Sequence, residues 1–268
     1  MKTTPTHDLV KQSYASMLQA ARQKTSCCGT TSAAARLAGY GEQEQHTEAA
    51  SASFGCGNPL AFAGVKRGDT VLDLGSGAGL DLLLAAEKVG PSGKVIGVDM
   101  TNDMIAVARD NARKAGYDNI DVRCGLIEDL PVDTASVDWV ISNCVINLSP
   151  DKPAVFREIS RVMKPGARLS VSDIVVQELP DWIRNSAAAW SACVAGAISE
   201  QDYLEGLRAA GLEDVAVAER LVYDASQLRA ILCEDIPGLD LQASQIDTLL
   251  EEYAGTVWSA RFTARKPL

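Results

Sequence analysis

The stretch VLDLGSGAGLD, residues 71–81, constrains the fold more than any other part of the chain. An apolar run leads into Asp73, and glycines at every second position, Gly75, Gly77 and Gly79, follow before a second apolar run begins. Glycine accepts the left-handed backbone of a tight turn and lets a ligand approach the main chain closely. The pattern predicts a buried strand, a glycine-rich turn and a helix, with a ligand site at the turn.

Strand and helix patterns alternate from residue 69 onwards. Strands are predicted at 70–75, 94–99, 120–125, 136–143 and 168–175, and helices near 79–89, 102–115 and 151–163. Strands that alternate with helices of this length form a mostly parallel sheet with helices on both faces. After residue 176 the order is less regular, with helices predicted at 200–210, 225–233 and 241–253 and strands at 212–223 and 256–266. The fold class is therefore expected to be α/β.

Three regions are expected along the chain. Residues 1–57 are predicted to form a helical cap, with helices near 8–23 and 31–50 around the loop SCCG. Residues 58–176 carry the Rossmann-like pattern of the core, which is expected to bind the cofactor. Residues 177–268 are expected to complete the sheet as an α+β extension and to contribute to a substrate site.

Composition excludes several classes of partner. The formal net charge is −10 with no visible basic patch, which argues against nucleic acid. The first residues, MKTTPTHDLVKQ, lack the apolar run of a secretory signal. The longest apolar stretch, around 187–198, is shorter than the roughly 20 residues that span a bilayer. We therefore expect a cytoplasmic protein without a membrane partner.

Cysteine and histidine usage narrows the chemistry further. The seven cysteines are Cys27, Cys28, Cys56, Cys124, Cys144, Cys193 and Cys233. An odd number in a cytosolic chain argues against a disulfide framework and leaves burial, redox chemistry or soft-metal ligation. The two histidines, His7 and His46, both lie near the N-terminus, which argues against a histidine-based site in the core.

The spacing of the glycine turn favours one kind of nucleotide ligand. Dinucleotide sites carry G-x-G-x-x-G, whereas this chain has G-x-G-x-G with Leu80 where a third glycine is needed, so a pyrophosphate fits poorly. Asp73 at the strand end suits a cationic amino-acid group better than a phosphate. Asp99 ends the next strand, where an acid accepts hydrogen bonds from ribose hydroxyls.

Taken together, residues 60–176 resemble the class I S-adenosylmethionine-dependent methyltransferases. The resemblance implies that the methionine part is held by Asp73, Gly75, Gly77 and Gly79, with Asn143 facing it, and that Asp99 holds the ribose and Met100 packs on adenine. Many members carry an acid at the position of Leu126 to meet the adenine amine. This chain does not, so that role is assigned to Glu128 with the backbone of Ile127.

Three cysteine motifs surround this core in the order FGCGNP, SNCVINLSPDKP and WSACVAGA. In that order they resemble the arsenite methyltransferases, and the resemblance implies that Cys56, Cys144 and Cys193 hold trivalent arsenic as thiolates. Ala195 stands where the family usually has a glycine. Thiolate-bound arsenic keeps a lone pair that accepts the methyl group, so no general base is needed. The substrate would be arsenite or its thiol conjugates.

The family resemblance also implies an N-terminal cysteine that reaches the arsenic site or pairs with Cys56. Cys28 is favoured over Cys27 for this role. Methylation leaves arsenic oxidised, and nearby thiols reduce it by forming a disulfide. The expected co-substrate is a thiol reductant, glutathione or a thioredoxin-type protein.

Two alternatives remain open. A methyltransferase for another small metabolite would need a base, and the candidates are Glu128, Asp173 and Glu178. A non-catalytic protein that sequesters arsenite or zinc would need no S-adenosylmethionine. Cys124 is expected to be structural, and Cys233 to be a core or surface thiol.

Overall fold

The computed structural model describes residues 4–23, 64–186, 189–190, 193–230 and 243–268. Within these ranges seven strands form one sheet. Their bounds are β1 Thr70–Leu74, β2 Lys94–Asp99, β3 Ile120–Cys124, β4 Val137–Asn143, β5 Met163–Val176, β6 Glu213–Val222 and β7 Val257–Arg265.

The order of strands in the sheet is β3-β2-β1-β4-β5-β7-β6. Strands β1 to β5 run parallel to one another, and β7 lies antiparallel between β5 and β6. β1 lies between β2 and β4, so the direction in which the chain adds strands reverses there. In open parallel sheets such a switch point leaves a ligand crevice at the carboxyl ends of the strands.

Helices connect and cover the strands. Their bounds are α1 Pro5–Gln23, α2 Leu80–Val89, α3 Asn102–Lys114, α4 Lys152–Val162, α5 Asp181–Arg184, α6 Glu200–Ala209, α7 Ala225–Ala230 and α8 Ala243–Tyr253, with a 3₁₀ turn at Ile146–Leu148. Side chains cap several of these helices; for example, Asp151 accepts a hydrogen bond from the Ala154 amide and Ser199 accepts one from the Asp202 amide. Such caps satisfy backbone donors that the first turn leaves unpaired.

An aromatic cluster attaches α6 to the sheet. The ring of Tyr203 stacks on Phe262 of β7 at a centroid distance of 4.0 Å and meets Phe156 of α4 edge-on at 5.2 Å. Gly206 leaves room for the Phe156 ring, since a Cβ there would lie 2.4 Å from it. The antiparallel strands are thereby packed into the same core as the parallel ones.

The structure confirms the fold predicted from the sequence. β5 begins at Met163, earlier than the expected 168, because Met163 already pairs with Val137 before the register shifts. The helix expected near 31–50, the SCCG loop and Cys233 lie outside the described residues. Among the residues that the structure describes, no helix combines the length and apolar character that crossing a membrane requires.

Candidate active site

A pocket opens at the carboxyl ends of β1, β2 and β4. Its wall is formed by the glycine turn, by the segments after β2 and β3, by the loop after β4 and by α1. Ten residues predicted from the sequence line it, namely Asp73, Gly75, Gly77, Gly79, Asp99, Met100, Ile127, Glu128, Asn143 and Cys144. The predicted residues therefore share one cavity.

The glycine turn after β1 has a left-handed backbone at all three glycines. The φ angles are +67° at Gly75, +49° at Gly77 and +90° at Gly79. A Cβ at Gly75 would lie 2.5 Å from the side chain of Val145, whereas a Cβ at Gly77 would meet nothing within 4 Å. Gly75 is thus required by packing as well as by conformation, and Gly77 leaves open space in the pocket.

Buried carboxyl groups cluster beside this turn. Burial and the nearby acids Asp81 and Asp99 raise the pKa of Asp73 well above its ordinary value. A cation brought into the pocket would favour the ionised form of Asp73 and relieve this repulsion. The cluster therefore suits a positively charged ligand. Asp81 was not predicted, although an acid in the first turn of the helix after the glycines was visible in the sequence.

Backbone donors orient the Asp99 carboxylate at the end of β2. Its Oδ2 accepts a hydrogen bond from the Gly77 amide at 3.0 Å, and its Oδ1 accepts one from the Thr101 amide at 2.7 Å. Burial raises the pKa of Asp99, and these hydrogen bonds oppose the rise. The carboxylate is held in one orientation at the pocket wall, as recognition of a diol requires.

Glu128 lies on the other side of the pocket and has two partners on one of its oxygens. Its Oε1 accepts hydrogen bonds from Ser149 Oγ and from His7 Nε2 of α1, the latter at 3.0 Å. Its Oε2 is buried and has no hydrogen-bond partner. Because an unpaired buried carboxylate oxygen is costly, this atom is suited to a ligand donor. His7 was not predicted to contribute.

The structure brings Cys144 and Cys193 together. The thiol of Cys193 donates a hydrogen bond to the backbone oxygen of Cys144 at 2.6 Å, and both residues belong to one buried cluster. Both have left-handed backbones, with φ of +56° and +62°. Non-glycine residues adopt this region rarely, and strained backbone of this kind recurs at functional sites.

The segment that carries Cys193 is packed closely on the loop after β4. A Cβ at Gly196 would lie 1.9 Å from the backbone oxygen of Asn147, so only glycine fits there. Asn147 is fully buried, and its side-chain amide donates to the Ile174 oxygen at 2.7 Å. The segment that carries Cys193 and the loop that follows Cys144 are therefore in contact through their main chains.

A buried acid and a buried amine lie near Cys193. Burial raises the pKa of Asp173 to about 7, and Lys152 and the Asn147 amide oppose the rise. Burial lowers the pKa of Lys152 to about 8. Burial and Asp173 raise the pKa of the Cys193 thiol, whereas the Tyr14 hydroxyl and the charge of Lys152 lower it. The thiol therefore lies between opposing charges.

The other predicted cysteines have different outcomes. Cys28 and Cys56 lie outside the described residues, so their roles stay predictions. Cys144 forms a disulfide bond. Cys124, which was expected to be structural, is a free and exposed thiol at the end of β3. Among the described residues, no group of three or more histidine, cysteine, aspartate or glutamate side chains could hold a metal ion.

Comparison with known proteins agrees with this geometry. The family model described as a methyltransferase domain matches residues 65–211, more than half of the chain. The fold and the pocket are those of a class I S-adenosylmethionine-dependent methyltransferase.

More specific relatives identify the family. The crystal structure of an arsenic(III) S-adenosylmethionine methyltransferase from Chlamydomonas reinhardtii is 32% identical, with a TM-score of 0.63, over 88% of this chain and 73% of that one. The chain belongs to the arsenite S-adenosylmethionine methyltransferase family.

Two curated relatives named arsenite methyltransferase are similar to this chain over most of its length. The one from Halobacterium salinarum is 41% identical over 234 residues, which is 80% of this chain and 59% of the relative. The one from Aquipseudomonas alcaligenes is 39% identical over 223 residues, which is 80% of this chain and 64% of the relative. The match thus spans less than two thirds of the length of either relative.

Proposed function

We propose that the chain methylates trivalent arsenic with S-adenosylmethionine, acting on arsenite and on methylarsenite in arsenic detoxification. One observation carries the proposal: Cys144 and Cys193, from separate segments, meet at the edge of a pocket suited to a cationic ligand. Thiolates are soft ligands that select soft centres such as trivalent arsenic. The family membership and the names of the relatives support the same substrate.

The residues on the pocket wall fit S-adenosylmethionine, which when bound supplies an electrophilic methyl group on a cationic sulfur. Asp73 and its acidic neighbours favour the positive charge. We assign Asp99 to the ribose, Met100 and Ile127 to the adenine face, and the partnerless Oε2 of Glu128 to the adenine amine. Asn143 lines the same pocket, and its amide donates to Asp81 at 3.3 Å, which supports its assignment to the methionine part.

The cysteines would hold the substrate. We assign Cys144, once its disulfide bond has been reduced, and Cys193 as two arsenic ligands, and Cys56 as the third. The arsenic lone pair would form the new bond to the methyl carbon while the bond from that carbon to sulfur breaks and S-adenosylhomocysteine leaves, so arsenic would pass from the trivalent to the pentavalent state. Two thiols then return it to the trivalent state and form a disulfide. We propose Cys28 and an external thiol, glutathione or a thioredoxin-type reductant, for that step.

The proposed division of labour follows the three regions. Residues 58–176 would bind the cofactor, residues 177–268 would contribute Cys193, and residues 1–57 would cover the site. Two observations support this division. The α1 residues His7, Val10 and Tyr14 line the pocket, and Cys193 packs with Val10 and Cys144 in one cluster.

The test is methyl transfer to arsenite in the presence of excess thiol. Cys144→Ser and Cys193→Ser should each lower the rate at least about 100-fold, because the substrate is then wrongly placed. The same loss is expected for Cys56→Ser. Cys124→Ser is the matched control, and it should leave the rate unchanged because that thiol is exposed.

Binding of S-adenosylmethionine, measured by calorimetry, should stay within about threefold in all four variants, since hydrogen bonds to the cofactor are not removed. If Cys144→Ser or Cys193→Ser methylates arsenite at the wild-type rate, the proposal is wrong. A chain that binds arsenite but no S-adenosylmethionine would instead be a sequestering protein.

A further inference from the structure

One face of α1 lies over both halves of the site. His7, Val10 and Tyr14 follow the spacing of three and four residues that places side chains on one face of a helix. Val10 is 1% exposed and packs in the cluster that contains Cys144 and Cys193. His7 and Tyr14 are two turns apart, about 10 Å along the axis. The same face therefore reaches two separate parts of the pocket.

Tyr14 is at the cysteine end of this face. It packs against the buried cluster that contains Cys193, and its hydroxyl lowers the pKa of the Cys193 thiol. Its ring packs against Ala78 and Met104, which line the nucleotide side of the pocket, and also against the cysteine cluster. The thiol of Cys193 donates to the Cys144 oxygen, which leaves its sulfur as an acceptor for the tyrosine hydroxyl. The proposed function uses the same sulfur as an arsenic ligand.

His7 is at the other end and makes two contacts. Its Nδ1 accepts a hydrogen bond from the Thr4 amide at 3.0 Å, which caps the helix and places the ring proton on Nε2. Nε2 therefore donates to Glu128 Oε1 at 3.0 Å. With Ser149 on the same oxygen, Glu128 is oriented so that Oε2 is the atom without a partner. His7 is 5% exposed, so water does not replace this contact freely.

We propose that His7 and Tyr14 are positioning residues, through which α1 sets Glu128 for the cofactor and the Cys193 sulfur for the metalloid. The inference rests on the proposed function, since it assigns ligands to both atoms. Each side chain acts on one ligand through one hydrogen bond. A helix that merely covers the site would affect both ligands together, so the two roles can be separated by experiment.

The first variant is Tyr14→Phe, which keeps the ring and removes the hydroxyl. Arsenite affinity should fall about tenfold, because the sulfur ligand loses a charge-assisted hydrogen bond. Affinity for S-adenosylmethionine should stay within about twofold, since the aromatic packing is unchanged. Calorimetric titration measures both, with a phosphine reductant, because dithiols would bind arsenite themselves.

The second test uses a matched pair at His7. Glutamine and glutamate both serve at this helix position as capping residues, so His7→Gln and His7→Glu keep the cap. Only glutamine retains a donor toward Glu128, whereas glutamate places a second carboxylate beside it. His7→Glu should weaken S-adenosylmethionine binding about tenfold and leave arsenite binding within twofold, and His7→Gln should restore cofactor affinity.

Two outcomes overturn the inference. The first is a Tyr14→Phe variant that binds arsenite as tightly as wild type. The second is that Tyr14→Phe and His7→Glu each lose affinity for arsenite and for S-adenosylmethionine to the same extent. That result would mean that α1 only covers the site and positions neither ligand. A wild-type protein that binds S-adenosylmethionine but no arsenite would contradict the proposed function instead. The His7 pair would then still decide whether His7 positions Glu128.

Discussion

The cofactor half and the cysteine half of the pocket both use left-handed backbone, but with different residues. In the cofactor half it occurs at glycines, Gly75, Gly77 and Gly79. In the cysteine half it occurs at Cys144 and Cys193. Glycine enters this region without strain, whereas a residue with a Cβ is destabilised by about 1–3 kcal/mol. Ala135 and Asp214, which lie outside the pocket, also have a left-handed backbone, so this strain is not confined to the cysteines.

The two halves also differ in the charges around their buried acids. The neighbours of Asp73 are Asp81 and Asp99, so repulsion adds to burial in raising its pKa. Asp173 on the other side lies near Lys152, which opposes the effect of burial. The first arrangement is suited to receive a cation from outside, and the second contains a cation of its own. The carboxyl groups around Asp73 would therefore be stabilised by a cationic ligand, whereas the charge of Asp173 is already compensated by Lys152.

The largest expected effect tests the glycine turn. Gly75→Ala adds a Cβ that would lie 2.5 Å from Val145 at a φ of +67°, so the free energy of unfolding should fall by about 3 kcal/mol. Gly77→Ala is the matched control, with a φ of +49° and nothing within 4 Å, and should cost about 1 kcal/mol. Urea denaturation measures both values. Equal losses would contradict the requirement for Gly75 in packing.

The second prediction concerns Asp173 and pH. Its pKa is raised from 3.8 to about 7, so between these values the folded state keeps a proton that the unfolded state releases. The free energy of unfolding should therefore decrease as the pH rises through this window. Asp173→Asn removes this titration, and its stability relative to wild type should improve by about 2 kcal/mol between about pH 5 and about pH 6.5. The measurement is urea denaturation of the two proteins at several pH values. A difference in the free energy of unfolding that stays constant across this range would exclude the effect.

The smallest expected effect tests the strained cysteine directly. Alanine is usually more stabilising than glycine, but at Cys193 the left-handed backbone should reverse this order. Cys193→Gly should be more stable than Cys193→Ala by about 1 kcal/mol. At Cys124, on a regular strand, the usual order should hold. Thermal unfolding of the four variants under reducing conditions is the measurement, and the usual order at both sites would show that Cys193 is not strained.

The sequence predicted the residues that line the pocket around the glycine turn better than the contacts around the cysteines. Asp73, the glycines and Asp99 lie at strand ends whose positions follow from local apolar patterns, and the order of parallel strands brings those ends together. The contact between His7 and Glu128 joins residues 121 positions apart, and the helical pattern of α1 shows only which face is buried. The local sequence does not indicate which residues the buried face of α1 contacts.

Asp173 is an intermediate case. An acid inside the apolar run of β5 is a visible anomaly, since a buried carboxyl group is costly without partners. The sequence could therefore indicate that Asp173 has a partner, but only the fold brings Lys152 near it. Cys144 and Cys193 were predicted from motifs, and their left-handed backbones required coordinates. Cys28 and Cys56 remain predictions.

The contact between Gly196 and Asn147 has a consequence for how the sequence of this site can change. Gly196, which follows Cys193 by three residues, has no room for a Cβ. Ala195 is buried and tolerates its methyl group. The interval between the two cysteine segments is thus set by main chain against main chain. Side chains around this contact can therefore be substituted without a change in the spacing between the two loops that carry the cysteines.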